Sequence, residues 1–269
     1  MATIAWHESD YETVSVSVSD GVAELMMNRP EQLNALSMTL KKELGQVIDF
    51  ALGDPSVSII VLTGAGRSFC SGADLRGMSQ SRGLTYRKEL RKLQDDLIVK
   101  LWESEKIVIA GVQGYAAGAG FSMALASDIV VAEEGAIFYA PFVTGPAVVP
   151  DTGIAYLLPK AVGVNAAMHV LLTAQKVPAA EAAQMGIVQR LVPTGSVRQG
   201  IDETIAALRR AAPQALALTK TLVHKGLSTD LREVLEQEAF MQALLRMSDD
   251  HAEGIKAFSE QRAPHFTGS

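Results

Sequence analysis

The residues best suited to chemistry lie in a glycine-rich segment, 107–128, with the sequence IVIAGVQGYAAGAGFSMALASD. Its β-branched start predicts a buried strand, and the small residues of 114–120 separate this strand from a helix predicted over 123–126. Such a turn brings unpaired backbone N–H groups to one point, and no large side chain blocks the approach. The arrangement suits an oxygen atom that gains negative charge. The alternative, that Gly118 and Gly120 only let the helix pack closely, is equally compatible with the sequence.

Several other kinds of site do not fit the sequence. Residues 64–66, Gly-Ala-Gly, follow a predicted strand, but Phe69 stands where a dinucleotide fingerprint needs a third Gly or an Ala. The five histidines are scattered without ligand spacing and Cys70 is the only cysteine, so we expect no metal site and no intramolecular disulfide. A Ser-His-Asp triad around Ser122 would need a distant histidine.

The elements that position this segment alternate between strand and helix. Residues 13–18 and 22–27 predict a hairpin, and the uninterrupted apolar run 59–62 predicts a strand covered on both faces. Ser37 can cap a helix after the hairpin, and the polar segment 85–105 has helical character. This alternation over roughly the first 190 residues predicts an α/β fold, either a spiral or a layered sheet.

The last part of the chain has a different character. Pro178 is predicted to begin a helix that ends at Gly186, and 188–192 is predicted to be a final short strand. From Ser196 onward the pattern predicts only helices, at 201–211, 214–224, 230–246 and 254–258. We therefore predict a core over 1–195 and a helical region over 196–269.

The predicted helix 230–246 begins with Asp230 and Glu233 at the spacing of an N-terminal capping pair. Its leucines, valine and methionine form a broad apolar surface. This surface suggests contacts in an oligomer, although packing against the chain's own core fits the pattern equally well.

Composition limits the partners of this 269-residue chain. Its net charge of -6 and pI near 5.4 argue against a nucleic-acid partner or an anionic membrane surface. The N-terminus lacks the pattern of a signal peptide, and no apolar run approaches the ~20 residues of a membrane span. We expect a soluble, cytoplasmic protein.

Several separated motifs in the same order resemble the crotonase family, the enoyl-CoA hydratases and isomerases. They are NRPEQLNALS at 28–37, IVLTGAGRSFCSGADLR at 60–76, GYAAGAG at 114–120, VPDTGIAYLLPKAVG at 149–163 and DDHAEGIKAFSEQRAPHFTG at 249–268. The resemblance implies a core of ββα spiral turns and a helical C-terminal region that builds trimers, often paired into hexamers. It also implies an acyl-coenzyme A thioester as substrate, with no further cofactor.

The resemblance assigns the thioester oxygen to two backbone N–H groups, those of Ala73 and Ala119. We expect the substrate pocket to include Gly118, Ser122, Phe142 and Val143. Ala119 stands where many members have glycine, which is compatible because the donor is an amide. The family's coenzyme A path is implied at Ala35, Ser71, Ala73, Leu75 and Arg76. Phe258 matches an aromatic residue of the tail that in relatives closes over a neighbouring subunit's ligand, and Gln261 replaces a frequent lysine.

The acid–base residues indicate which reaction the chain performs. Hydratases of the family carry two glutamates at positions that are Ser122 and Phe142 here, so we predict that hydration is weak or absent. Asp151 matches the catalytic aspartate of a PDxG element in the family's isomerases, including those of phenylacetate breakdown. Burial beside Phe142, Val143 and Val149 is expected to raise its pKa, so that one carboxyl can move a proton between two carbons. Alternatively, Asp151 only caps the helix that follows it.

Two other functions stay open on the sequence. Asp151 could attack the substrate covalently, as an aspartate does in the family's dehalogenase branch, although no histidine base is evident. The chain could also bind acyl-CoA without catalysis, because both hydratase glutamates are absent. The substrate's chain length, its aliphatic or ring nature and the choice between trimer and hexamer are not readable, because the pocket wall comes from the loosely patterned segment 78–101.

Overall fold

The computed structural model describes residues 6–74, 76 and 81–269, which belong to two compact units. One unit comprises Met1–Glu103 and Val108–Ile201, and the other comprises Ser104–Ile107 and Asp202–Ser269. The change of unit near residue 201 lies a few residues beyond the boundary drawn from the sequence. The separate roles predicted for 1–195 and 196–269 stay predictions.

The first unit is built on a sheet in which six strands pair within the described residues. The predicted hairpin is present, and its two strands are antiparallel, whereas the pairings described farther along the sheet are parallel. The strands, in their order across the sheet, are β1 (Val14–Ser19), β2 (Val22–Met27), β3 (Ile59–Gly64), β4 (Ile107–Val112), β6 (Ile129–Glu133) and β9 (Arg190–Val192). β3 and β4 are fully buried, as their uninterrupted apolar sequence predicts.

A smaller sheet corrects the prediction of a continuous turn over 114–120. Its strands are β5 (Tyr115–Ala117), β7 (Ile137–Tyr139) and β8 (Val177–Pro178). Gly114 has a φ of 56°, which turns the chain from β4 directly into β5. Pro178 is the last residue of β8 rather than the first residue of a helix.

Helices of the first unit cover the sheets. The predicted cap of the first is confirmed, because the Ser37 side chain accepts from the Leu40 N–H at 3.1 Å. The predicted helix over 85–105 is interrupted by a π-helical turn, Asp95–Val99. The helices of this unit are α1 (Met38–Gly53), α2 (Gly83–Gln94), α3 (Lys100–Glu103), α4 (Ala119–Ala126), α5 (Ile154–Val162), α6 (Val164–Thr173) and α7 (Ala179–Gln184). α8 (Val197–Leu208) begins in the first unit and ends in the second.

The second unit contains the remaining helices, as the sequence predicts: α9 (Pro213–Gly226), α10 (Leu231–Leu245) and α11 (Asp249–Ser259). The Asp230 carboxylate accepts from the Glu233 N–H at 3.0 Å, which confirms the predicted cap. Leu231 on α10 is 72% exposed, and Leu235, Phe240 and Leu244 are exposed as well. That this apolar face contacts other subunits stays a prediction. None of the described helices has the length and hydrophobicity needed to cross a membrane.

Candidate active site

Two glycines bring two loops of the first unit into backbone contact. Gly72 has a φ of 92°, and a Cβ atom there would lie 2.8 Å from the Ala117 carbonyl oxygen and 3.6 Å from the Gly118 Cα. Gly118 itself combines a φ of 53° with a ψ of -121°, a conformation that a residue with a side chain rarely adopts. Because both positions lack a side chain, the two loops approach each other closely. The Gly72–Ala73 and Gly118–Ala119 peptide units therefore lie on neighbouring stretches of backbone.

The amides of Ala73 and Ala119 are left available by the local structure. Leu36 donates to the Gly72 carbonyl at 2.8 Å and accepts from the Asp74 N–H at 3.4 Å. Successive N–H groups alternate sides in extended chain, so the Ala73 N–H is directed away from Leu36. Ala119 is the first residue of α4, where an N–H has no acceptor within the helix. Both residues line one cavity, as an oxyanion site requires, and their predicted role stays a prediction.

The sequence left two interpretations of the glycine-rich segment 114–120, close helix packing and a turn that exposes backbone amides. They apply to different glycines. A Cβ atom at Gly120 would lie 2.5 Å from the Cys70 carbonyl oxygen, so Gly120 permits close packing. A Cβ atom at Gly118 would meet nothing nearer than 3.8 Å, so this position needs glycine for its backbone conformation. Packing and site geometry therefore both contribute to the motif.

The cavity has a volume of about 260 Å³ and belongs wholly to the first unit. Its wall contains Ser71, Phe142 and Asp151 among the predicted residues, together with Gly118 and the two alanines. Much of the remaining wall is apolar and includes Leu36, Met38, Leu90, Leu93, Pro141, Pro146 and Val148. An acyl chain fits such a lining.

Asp151 lies in this wall and does not cap the helix that follows. The N-cap of α5 is Gly153, and no side chain makes a capping hydrogen bond there. Burial raises the pKa of the Asp151 carboxyl, while a hydrogen bond from Thr152 and the charge of Lys41 act in the opposite direction. The predicted shielding holds for Phe142 but not for the two valines, because Val149 is 79% exposed, Val143 does not line the cavity and Val148 lines it instead.

Besides Thr152, sequence reasoning missed three polar residues that share the cavity with Asp151. Lys41 comes from α1, and burial lowers the pKa of its ammonium while the charge of Asp151 raises it. Tyr86 and Glu89 come from α2, and the pKa of the Tyr86 phenol is raised by burial and by the charges of Asp151 and Glu89. The sequence offered one signal for Lys41, its position at the edge of the apolar stripe of α1. The pattern does not show which other residues the Lys41 side chain faces.

A family model described as enoyl-CoA hydratase/isomerase matches residues 17–269. The chain belongs to the enoyl-CoA hydratase/isomerase family. A Rhodobacter capsulatus protein named "Probable enoyl-CoA hydratase" is 40% identical over 96% of this chain and 99% of its own length. The "1,2-epoxyphenylacetyl-CoA isomerase" of Escherichia coli strain K12 is 31% identical over 96% of this chain and 99% of its own length.

Solved structures of the family share the fold. An enoyl-CoA hydratase from Bacillus anthracis matches with a TM-score of 0.90 and 28% identity, covering 96% of this chain and 100% of that chain. The predicted family and its crotonase-type α/β fold are therefore confirmed.

Three of the remaining residues predicted from the hydratase/isomerase family, Ala35, Arg76 and Val143, do not line the cavity. Ala35 is buried, and its carbonyl accepts from the Arg29 guanidinium. Arg76 is exposed and its backbone N–H donates to the Asp74 carboxylate at 3.2 Å. Val143 is half-buried outside the lining. Leu75 lies outside the described residues.

Two further positions predicted from the family lie elsewhere. Ser122 is completely buried behind the cavity wall, where its hydroxyl oxygen is 2.8 Å from that of Thr152. Phe258 lies on α11 in the second unit and is 87% exposed. Its predicted contact with a neighbouring subunit's ligand stays a prediction.

Replacing Lys41 with methionine is expected to move the acid limb of the pH profile to higher pH in this family member. The Lys41 charge holds the pKa of Asp151 down, so its removal raises that pKa further and leaves less carboxylate at low pH. Tyr86 and Glu89, which also face this region, are retained. The measurement is kcat/KM against pH, with Lys42→Met on the exposed side of α1 as control. An acid limb identical to that of the wild type would contradict the assignment.

Proposed function

We propose that this member of the family is an enoyl-CoA isomerase in which Asp151 moves the proton and the amides of Ala73 and Ala119 stabilise the enolate. One observation carries the proposal. The Asp151 carboxyl lies in the wall of the apolar cavity that both alanines also line, and it is not used as a helix cap. A carboxyl of raised pKa beside two available amides is the set of groups that the reaction needs.

The proposed reaction uses one base twice. The Asp151 carboxylate removes a proton from C2 of a 3-enoyl-CoA, and the C–H electron pair moves into the conjugated system and places negative charge on the thioester oxygen. The amides of Ala73 and Ala119 donate to this oxygen. The protonated Asp151 then returns the proton to C4, which leaves the double bond between C2 and C3. Coenzyme A takes part only as a piece of the substrate. The reaction moves one proton within the substrate, without oxidation, reduction or transfer of a chemical group.

The substrate is an acyl-CoA with a straight-chain or a ring-derived acyl group. The apolar lining favours a hydrocarbon portion, and the relative named 1,2-epoxyphenylacetyl-CoA isomerase supports testing rings. The experiment compares straight-chain 3-enoyl-CoAs with cyclic unsaturated acyl-CoAs, following the absorbance of the conjugated product. Failure of every such substrate to isomerise, despite measurable binding, would favour the non-catalytic acyl-CoA binder.

Hydration is the second candidate, favoured by the name of the Rhodobacter capsulatus relative. Two features of the site oppose it. Ser122 is buried behind Thr152, and Phe142 places a ring where a water-activating group would stand. Only one further carboxylate, that of Glu89, joins Asp151 among the described residues of the wall.

We expect hydration of crotonyl-CoA to be slower than isomerisation by about 100-fold, because Ser122 and Phe142 replace both glutamates of the family's hydratases. The two rates are measured on one enzyme preparation from the loss of crotonyl-CoA and from the formation of 2-enoyl-CoA. Rapid conversion of crotonyl-CoA to its 3-hydroxy product would contradict the prediction. Loss of that hydration in Glu89→Gln would then assign it to the pair of Asp151 and Glu89.

A further inference from the structure

A chain of buried hydroxyl groups connects the Asp151 carboxyl with the peptide between Gly118 and Ala119. The Thr152 hydroxyl oxygen lies 3.3 Å from Asp151 Oδ1 and 2.8 Å from the Ser122 hydroxyl oxygen. The Ser122 hydroxyl donates to the Gly118 carbonyl at 3.4 Å. Because Thr152 is 2% exposed and Ser122 is 0% exposed, the two hydroxyl groups themselves are shielded from bulk water.

The carbonyl at the end of this chain belongs to a functional peptide unit. Its oxygen is that of Gly118, and its N–H is that of Ala119, which lines the cavity. A hydrogen bond accepted by a peptide carbonyl polarises the unit and makes its N–H a stronger donor. Changes at Asp151 can therefore reach the oxyanion site through two side chains.

We propose that Thr152 and Ser122 are positioning residues that couple the proton on Asp151 to the strength of the Ala119 N–H as a hydrogen-bond donor. The inference rests on the proposed function, because it takes Asp151 as the base. The Thr152 backbone has a φ of 49°, a conformation that β-branched residues rarely adopt. The surrounding structure therefore holds the Thr152 hydroxyl in its position against the conformational preference of the residue.

The coupling follows from the single proton that each hydroxyl can donate. While Asp151 is a carboxylate, Thr152 donates to it. Once Asp151 has taken the substrate's proton, its oxygens are weaker acceptors, so Thr152 turns to Ser122 and Ser122 donates to the Gly118 carbonyl. The Ala119 N–H is then strongest while the enolate exists. Both hydroxyls keep their own protons throughout, and only the proton on Asp151 is exchanged with the substrate.

The test uses Ser122→Ala, Thr152→Ala and the double variant of the full-length enzyme. Each single change is expected to lower kcat for isomerisation about tenfold, and the double change to lower it by little more, because either substitution interrupts the same chain. KM and the Kd of a saturated acyl-CoA are expected to stay near their wild-type values. Thr152→Ser, which keeps the hydroxyl, is expected to restore kcat.

The matched control is Ser127→Ala, at the C-terminal end of the same helix. The Ser127 hydroxyl donates to the Met123 carbonyl at 3.0 Å, the same type of bond that Ser122 makes, but it has no link to Asp151 in the described structure. This variant is expected to retain its kcat. An equal loss of kcat in Ser127→Ala would show that helix packing, rather than the hydroxyl chain, causes the effect.

The pH profile separates the roles of the two hydroxyls. Thr152→Ala is expected to move the acid limb to higher pH, because the Thr152 hydrogen bond lowers the pKa of Asp151. Ser122→Ala is expected to move the limb to lower pH, because Thr152 loses its alternative acceptor and donates to Asp151 in both protonation states. Lys41 from α1 and Tyr86 and Glu89 from α2, the other charged or titratable groups in this wall, are unchanged.

The proposal is overturned if both single variants keep kcat within about twofold of the wild type, or if the double variant loses the product of the two single effects. Wild-type activity in the hydroxyl variants together with an inactive Asp151→Asn would refute the coupling and leave the isomerase intact. Full activity in Asp151→Asn would refute the proposed function itself. Should Thr152→Ala fail to fold, Ser122→Ala with its control still decides the question.

Discussion

Replacing Asp151 with asparagine is expected to lower kcat for the isomerisation of a 3-enoyl-CoA about 1,000-fold, a typical contribution of a general base. The amide cannot accept the C2 proton, yet it is nearly the size of the carboxyl and can still accept a hydrogen bond from Thr152 at the same position. Binding of acyl-CoA is expected to persist, because the substitution leaves the apolar wall and both alanine amides unchanged.

The matched control for this change is Asp95→Asn. Asp95 follows α2, which also supplies the cavity wall, but its half-exposed carboxylate pairs with Arg91 at 3.8 Å and does not line the cavity. We expect this control to retain full activity. Undiminished isomerisation by Asp151→Asn would exclude Asp151 as the base. A covalent adduct on Asp151, found by mass spectrometry, would instead support the dehalogenase-type reaction.

The parts of the site that could be predicted from the sequence are those encoded locally. A glycine-rich turn that exposes backbone amides before a helix is a local feature, so the segment was identifiable from its own sequence. The resemblance to the family singled out Ala119, because the helix predicted from the pattern covered 123–126, whereas α4 begins at Ala119. Asp151 was identified because its neighbours in the chain matched a motif. Both assignments of catalytic role still depend on kinetic measurements.

The residues that sequence reasoning missed depend on contacts distant in the chain. Lys41 and Glu89 lie on different helices, and no local pattern shows that they share a cavity with Asp151. Thr152 was missed for the same reason, because its partner Ser122 is 30 residues away. Ser122 matched a catalytic position of the family, and its burial became apparent only when α4 and the segment before α5 were placed together.

The fold also contains elements that are encoded locally and elements that depend on contacts distant in the chain. The apolar runs that became β3 and β4 and the helices of the second unit were predictable, because burial and amphipathic spacing are written in their sequences. β5 was not, because Tyr115–Ala117 has the small residues of a turn and gains its strand geometry by pairing with β7. Tertiary pairing decided the conformation of this short segment.

Replacing Ala119 with proline is expected to lower kcat by 100- to 1,000-fold, roughly 3–4 kcal/mol of transition-state stabilisation, because it removes one oxyanion donor. Proline lacks the amide hydrogen, but its fixed φ suits the first residue of a helix. Ala119 occupies that position in α4, where its N–H has no role in the helix. The preceding Gly118 is outside the α region that proline disfavours before it.

The matched control is Ala119→Gly, which keeps the N–H and is expected to retain activity within a few-fold. Thermal unfolding and acyl-CoA binding of the proline variant show whether the helix and the cavity persist, since an effect through folding would lower both. If the proline variant binds acyl-CoA and isomerises it at the wild-type rate, the Ala119 amide does not stabilise the enolate. If the glycine variant, which keeps the N–H, loses as much activity as the proline variant, the loss in the proline variant cannot be assigned to the missing amide donor.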